Sequence, residues 1–347
     1  MPASPQQPNG IVNCSLRPFQ LDGVSWLVDK FITRTNCILA DEMGLGKTMQ
    51  TIAFIQALGE QDIAKGVHLI VCPLSVLDSW CSHITLHAPG LELVRFAGSA
   101  PERALLQKKV VESVSGRLTE DKLNFTCGFV PLTQSVVIVT TFDVALIDSF
   151  ALSALPLATL VIDEAHRLKN PSSRLHMLLA DEYEYAHAVL LTGTPVQNNL
   201  RELWGMLRFV DKTSFPEDSW PVFRDSFAAL TSHSHNREIV SQGIDRLNDA
   251  GSSGALAIAM RDIRTVLSSR MLRRVKRDVG LALPPKKHVV VYTKLTELQQ
   301  QLYLAVVAKS AHTLAAAASS FAVQEKAATG TYLSIIKRFY LLKWSCT

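Results

Sequence analysis

The sequence predicts an α/β fold in which a parallel β-sheet is layered between helices. Three observations predict it. Compact apolar runs recur, such as Val67–Cys72, Val136–Thr141 and Leu157–Ile162. Runs this apolar suit strands buried on both faces, as in parallel sheets. Helical stretches separate them, the alternation expected of right-handed crossovers. Polar residues gather just past the strands' C-terminal ends, where open parallel sheets bind ligands.

Composition fits this class. The chain has 347 residues, 48% hydrophobic and 19% charged, enough for about two domains. A net charge of +4 is compatible with a nucleic-acid partner without requiring one. Six cysteines stand at 14, 37, 72, 81, 127 and 346, with no C-x-x-C pair. No zinc ribbon or disulfide framework is therefore suggested, and a reducing compartment is the default. Cys37 and Cys72 lie in apolar runs and read as buried thiols. Met1–Gly10 lacks the apolar core of a signal peptide. The most hydrophobic long stretch, Ala145–Ile162, contains Asp148 and Pro156 and ends in acidic residues, so no membrane span is expected.

Residues 1–15 read as a flexible leader. From Leu16 onward, Phe19, Val24, Leu27 and Phe31 recur at helical spacing. This is either simply an amphipathic helix or one whose Gln20 amide reads an adenine edge. Cys37–Ala40 then leads into Asp41-Glu42-Met43-Gly44-Leu45-Gly46-Lys47-Thr48, and a helical run, Met49–Leu58, leads out. Strand, glycine turn, Lys-Thr and helix are the layout of a phosphate-binding loop. Glycines let the backbone approach a polyphosphate. The helix N-terminus directs free N–H groups and a positive dipole end at the anion. Lys47 reaches the outer phosphates and the Thr48 hydroxyl holds Mg²⁺. The general pattern, G-x-x-x-x-G-K-[ST], has glycine where this chain has Asp41, so on its own the stretch also reads as an ordinary strand-to-helix turn with a capping Lys-Thr pair.

Val67–Cys72 is followed by Pro73-Leu74-Ser75-Val76-Leu77 and a helix through Trp80, with Ser75 as its expected N-cap. This loop reads equally as a capping turn or as a contact to a nucleic-acid phosphate. Leu91–Phe96 is a further strand, 113–134 a surface insertion, and Val136–Thr141 a strand followed by a helix over Phe142–Phe150. Leu157–Ile162 ends at Asp163-Glu164-Ala165-His166, and His187–Leu191 at Thr192-Gly193-Thr194-Pro195. Phe215–Leu267 reads as interrupted helix. On charge alone, Arg270–Arg277 reads as a solvated helix face. His288–Tyr292 is one more strand, and Thr296–Ala328 a helix rich in alanine and glutamine.

Phosphoryl transfer needs held phosphates, a divalent ion and an oriented water. Asp163 completes a metal site with Thr48, and Glu164 polarises the attacking water as general base. His166 is placed to link this site to a moving neighbour. The competing reading of Asp163–His166 is an acidic cluster at a helix start.

Taken together, Asp41–Thr48, Asp163–Asn170 and Leu191–Asn198 resemble superfamily 2 helicase-like ATPases of the SWI/SNF type, the motors of chromatin remodellers. They resemble in particular the chromodomain-helicase-DNA-binding-like branch. Asp41 matches that family's own loop. The resemblance implies a RecA-like ATP-binding lobe over 16–210, with Gln20 near the base and Thr192, Gly193 and Thr194 coupling nucleotide to motion. It implies that Pro73, Ser75, Thr140 and Thr141 face DNA. It places a helical protrusion with the basic segment over 211–282 and a partial strand and helical tail over 283–347. ATP and Mg²⁺ are the implied cofactors; double-stranded DNA, the nucleosome and a second RecA-like lobe are the implied partners, in the nucleus. Second-lobe motifs are absent from the sequence, so a fragment, a truncated isoform or a diverged product is expected. Two other readings stand beside the motor: a non-catalytic module that binds ATP, DNA or a partner, and a strand-separating DNA-repair helicase.

Overall fold

The computed structural model describes residues 6–115, 132, 134–193, 200–226, 267–280 and short pieces between 289 and 304. Its described residues form an α/β architecture around one sheet. The chain runs α1 (Pro18–Ile32), β1 (Cys37–Leu39), α2 (Lys47–Glu60), β2 (Val67–Cys72), α3 (Leu74–His87), β3 (Glu92–Phe96) and α4 (Ala100–Ser115). It continues through β4 (Val136–Thr141), α5 (Phe142–Ile147), α6 (Ser149–Ser153), β5 (Leu157–Ile162), α7 (Arg174–Met177) and β6 (Tyr185–Leu191). The last described elements are α8 (Leu200–Val210), α9 (Trp220–Ser226) and β7 (Met271–Leu272). The seven strands lie in the order β3-β4-β2-β5-β6-β1-β7, and every pairing is parallel.

The apolar runs explain the layering. Successive strand residues point to opposite faces, so a strand apolar at every position packs on both sides. In β6, Ala188 and Leu190 join one core with Leu178, Met206 and Phe209. Val189 and Leu191 join the other with Leu27, Ile52, Phe54 and Trp80. Cys37 and Cys72 are buried thiols, with Cys72 pushed up to about 12 mainly by burial.

The structure corrects several expectations. The leader is docked from residue 6 onward. Ile11 and Leu16 bury in the second core, and the Gln7 amide donates to the carbonyls of Ile11 (3.0 Å) and Cys14 (3.1 Å). The backbone N–H groups of Asn9 and Gly10 donate to the Glu60 carboxylate at 2.8 and 2.5 Å. Pro73, not Ser75, occupies the N-cap of α3. The helix expected over Phe142–Phe150 breaks at Asp148 into α5 and α6. Helix α4 was not anticipated; among its described side chains, Leu106 and Val110 pack on the first core. It is also held by Arg103, whose Nε donates to Asp148 Oδ2 at 2.5 Å.

The basic run is not a solvated helix face. Met271 and Leu272 form β7 at the sheet edge beside Ile38 and Leu39. Of the expected later elements, 227–266, the strand at 288–292 apart from exposed Val289, and most of 296–328 lie outside the described residues. At Thr296 a capped turn does open, with Gln299 N donating to Thr296 Oγ1 at 3.3 Å and Gln300 N to the Thr296 carbonyl at 2.9 Å.

Two buried histidines sit inside this sheet. His68 Nδ1 pairs with Thr159 Oγ1 at 2.9 Å, and His187 lies 3.7 Å from Cys37 Sγ among Phe31 and Phe54. Burial lowers both from 6.5 to about 3. The unfolded chain therefore binds protons between those values that the folded chain refuses. Stability is unaffected above about pH 6.5 and falls as pH drops from there toward 3, by up to about 1.4 kcal/mol per pH unit for each histidine. Urea unfolding between pH 7 and 5 should show this slope, and His187→Gln should make it shallower; an unchanged slope in the variant would remove His187 as its source.

Candidate functional site

The site forms where β1, β5 and β6 end. Gly44 and Gly46 take left-handed φ values of 89° and 80°, which glycine adopts without penalty. Gly46 is the N-cap of α2, and no side chain caps it. The first-turn N–H groups of a helix lack intrahelical partners, so this end is built for an anion. A Cβ at Gly46 would also collide with Gln20 Nε2. Gln20 is thus against the loop: Nε2 donates to the Leu45 carbonyl at 3.1 Å, and Oε1 accepts from Arg17 N at 2.9 Å.

Lys47 opens α2, and its Nζ donates to the Asp41 carbonyl at 2.8 Å. Burial pushes this ammonium below the ordinary lysine value, against the opposing pull of the carboxylates of Asp41, Asp163 and Glu164. The phosphate loop and the acidic pair therefore share one electrostatic environment. Thr48 stands beside Lys47 in the first turn of α2. Glu42, Met43 and Gly44 form the outer rim, with Met43 and Gly44 exposed and Leu45 buried beneath.

Asp163 follows β5 directly. Burial pushes its carboxyl above the usual value, while the indole of Trp80 and the N–H of Glu164 pull it down. Trp80 Nε1 donates to Oδ2 at 2.8 Å, and Glu164 N donates to Oδ1 at 2.9 Å. Glu164 takes a left-handed conformation, φ 50° and ψ 51°, which is uncommon for a residue with a side chain and costs on the order of 1 kcal/mol. His166 Nδ1 lies 3.1 Å from Glu164 Oε2, so the histidine is bound to the acidic pair itself.

The third motif meets the loop at β6. Thr192 N donates to the Leu39 carbonyl at 3.2 Å, and a Cβ on Gly193 would lie 2.5 Å from Met43 Cγ. Thr194 lies outside the described residues. Farther along, Lys169 Nζ reaches Glu202 Oε1 at 3.1 Å. This ties the chain after the acidic pair to α8.

The expected DNA-facing residues divide. Pro73 and exposed Ser75 start α3 at the same sheet edge. Thr140 and Thr141 do not present a surface. Thr140 is fully buried, its hydroxyl donating to the Phe96 carbonyl at 2.8 Å. Thr141 is 4% exposed, and its hydroxyl accepts from Val144 N at 3.3 Å. Both hydroxyls are thus buried and satisfied by the backbone.

Sequence reasoning missed two contributors. Trp80 was read with the DNA-facing helix, yet its indole is bound to Asp163; only the spatial meeting of α3 with β5 shows this. Arg274 lay in the basic run, yet it pairs with the buried Asp41 carboxylate through Nε at 2.9 Å and through Nη2.

The pattern of the SNF2-related domain family matches residues 19–339. The chain is similar to mouse "Chromodomain-helicase-DNA-binding protein 1-like", at 37% identity over 300 residues, covering 86% of this chain and 29% of that protein. It is similar to the Saccharomyces cerevisiae "Transcription regulatory protein SNF2", at 35% identity over 302 residues, covering 86% of this chain and 16% of that protein. Among solved structures it matches the Sulfolobus solfataricus SWI2/SNF2 ATPase core in complex with double-stranded DNA, with TM-score 0.58 and 26% identity, covering 98% of this chain and 59% of that one. The chain thus spans under a third of the length of both curated relatives.

Trp80→Phe removes one donor from a half-buried carboxylate and leaves the ring. Stability should fall by about 1–3 kcal/mol in urea unfolding at neutral pH. A loss below about 0.5 kcal/mol would show that water replaces the indole.

Proposed function

Because the chain belongs to the SNF2-related domain family, we propose that it is the nucleotide-binding lobe of an ATP-dependent motor that translocates along duplex DNA and remodels nucleosomes. The observation that carries this reading is the convergence on Lys47. Its Nζ is bonded to the Asp41 carbonyl just past β1, and the carboxylates of Asp163 and Glu164, which arrive from a strand two places away in the sheet, act on its charge.

The residues present fit the groups the reading requires. The uncapped N-terminus of α2 offers N–H groups to the phosphates, and Lys47 neutralises the outer ones. Thr48 and Asp163 are the residues that would hold Mg²⁺, whose chemistry is to neutralise charge on the phosphate oxygens. Trp80 and the Glu164 N–H fix the direction of the Asp163 carboxylate. Glu164, held by His166, takes the proton of the attacking water.

Gln20, packed on the loop, is the residue assigned to the adenine. Ser75 and the N-terminus of α3 are assigned to a DNA phosphate. A translocase must accept any sequence, so backbone contacts serve it better than base readout. The nucleus is the corresponding compartment. A second RecA-like lobe is the partner that would face the γ-phosphate from the other side. A cation supplied there is worth about 10³–10⁵ in rate in related phosphoryl transfer.

DNA-stimulated ATP hydrolysis tests the proposal, with nucleotide binding measured in parallel. Lys47→Ala should weaken ATP binding by at least about tenfold. Glu164→Gln should keep binding and lose hydrolysis; hydrolysis at the unaltered rate would remove Glu164 as general base. ATP binding that needs Lys47, with no turnover on DNA or nucleosomes, would instead support a binding module.

A further inference from the structure

We propose that Arg270–Arg277 is a strap on the phosphate loop and that Arg274 is a positioning residue for Lys47. The inference rests on the reading of this loop as a nucleotide-phosphate site.

The loop departs from the general pattern at one position, where Asp41 replaces glycine. Asp41 is 0% exposed, and an ionised carboxylate is costly to bury unless charges and donors meet it. They do. Arg274 Nε and the Arg274 backbone N–H donate to Oδ1 at 2.9 and 3.1 Å. Arg274 Nη2 and Gln50 Nε2 donate to Oδ2, the latter at 3.1 Å. The guanidinium is itself fixed. Nη1 donates to the Phe19 carbonyl, Nη2 donates to Gln50 Oε1 at 2.7 Å, and the group lies 5.5 Å from the Phe19 ring centroid. A side chain at Gly23 would collide with Gln50 and approach Arg274 Nη2 at 2.8 Å, so α1 leaves this space open.

The backbone repeats the attachment. Ile38 N, Ala40 N and Glu42 N donate to the carbonyls of Arg270, Leu272 and Arg274 at 2.8, 2.7 and 2.9 Å. Lys276 N then donates to Glu42 Oε2 at 2.7 Å. The ladder thus runs past the end of β1 into the loop itself.

The consequence follows from one further bond. Lys47 Nζ donates to the Asp41 carbonyl at 2.8 Å. Arg274 holds Asp41, and Asp41 holds the lysine that neutralises the phosphates. An ordinary loop uses the freedom of glycine at this position; here a planar guanidinium fixes the backbone instead. Lysine cannot reproduce that fork, because it is a single point of charge. Displacing 270–276 therefore moves the phosphate lysine, which gives the segment a route to control nucleotide affinity.

The experiment is titration of the full chain with a fluorescent ATP analogue in Mg²⁺, paired with urea unfolding. Arg274→Lys and Asp41→Asn should each raise Kd about tenfold or more, and the double variant should lose little beyond either single one. Arg274→Lys should also lower the urea midpoint, because the buried Asp41 carboxylate loses donors; a raised Kd measured without urea, where the variant is still folded, separates positioning from a structural role. Binding by Arg274→Lys within twofold of the unaltered chain, or additive losses in the double variant, would overturn the inference alone. If Arg274→Lys unfolds, Asp41→Asn decides by the same criterion. Absence of any Lys47-dependent binding in the unaltered chain would remove the phosphate-site reading and the strap with it.

Discussion

Burial of the sheet on both faces is the constraint on which the rest depends. A parallel sheet has to return each chain crossing on the outside, so helices cover both faces and every strand ends at the same edge. Side chains on the strands are committed to the two cores, as the alternation in β6 shows. Chemistry is therefore left to the residues just after each strand. Asp41 is such a residue two steps past β1, and Asp163 and Thr192 are one step past β5 and β6. Their proximity is a product of topology, because β5, β6 and β1 are neighbours in the sheet while more than a hundred residues separate β1 from β5 in sequence.

This also explains what could be read beforehand. Strands β2, β4 and β5 were legible to the residue, because a strand buried on both faces leaves an unbroken apolar run. The phosphate loop and the acidic pair were legible because their residue types are required by the chemistry and sit at local spacings. Helix α4 was not read, although Leu106, Val110 and Val114 recur at helical spacing, because charged and polar residues are interleaved with them. The docked leader was hidden as well: Pro, Gln and Asn dominate its composition, and its attachment rests on a few long-range bonds to Glu60 and His87. The buried state of Thr140 was concealed in a different way, since a hydroxyl in a strand looks the same whether it faces solvent or the Phe96 carbonyl.

The hardest residues to read were those whose role is carried by a distant partner. Arg274 looked like one member of a solvated charge run. Its partner Asp41 lies 233 positions away, and no local spacing connects them. Trp80 and Asp163 are 83 positions apart and present the same problem. In each case the sequence held half of the interaction in plain view as an oddity: an aspartate in a glycine position, and a tryptophan on a helix assigned to DNA. A buried charge or a buried indole N–H demands a partner, so such oddities are where long-range structure can be sought.

These two pairs give the proposed motor its physical logic. Trp80 joins the helix that starts at the proposed DNA contact to the carboxylate proposed for Mg²⁺, through a single 2.8 Å bond. Arg274 joins the chain that continues from the sheet edge to the loop proposed for the phosphates. Helix α3 is thus tied to Asp163, and the chain beyond the sheet edge to the loop and Lys47, by short hydrogen bonds. The arrangement is also one-sided: Lys47, Thr48, Asp163 and Glu164 all rise from the same sheet edge, leaving the far side of the γ-phosphate to a group from elsewhere. On the proposed function, hydrolysis then requires that group to close over the site.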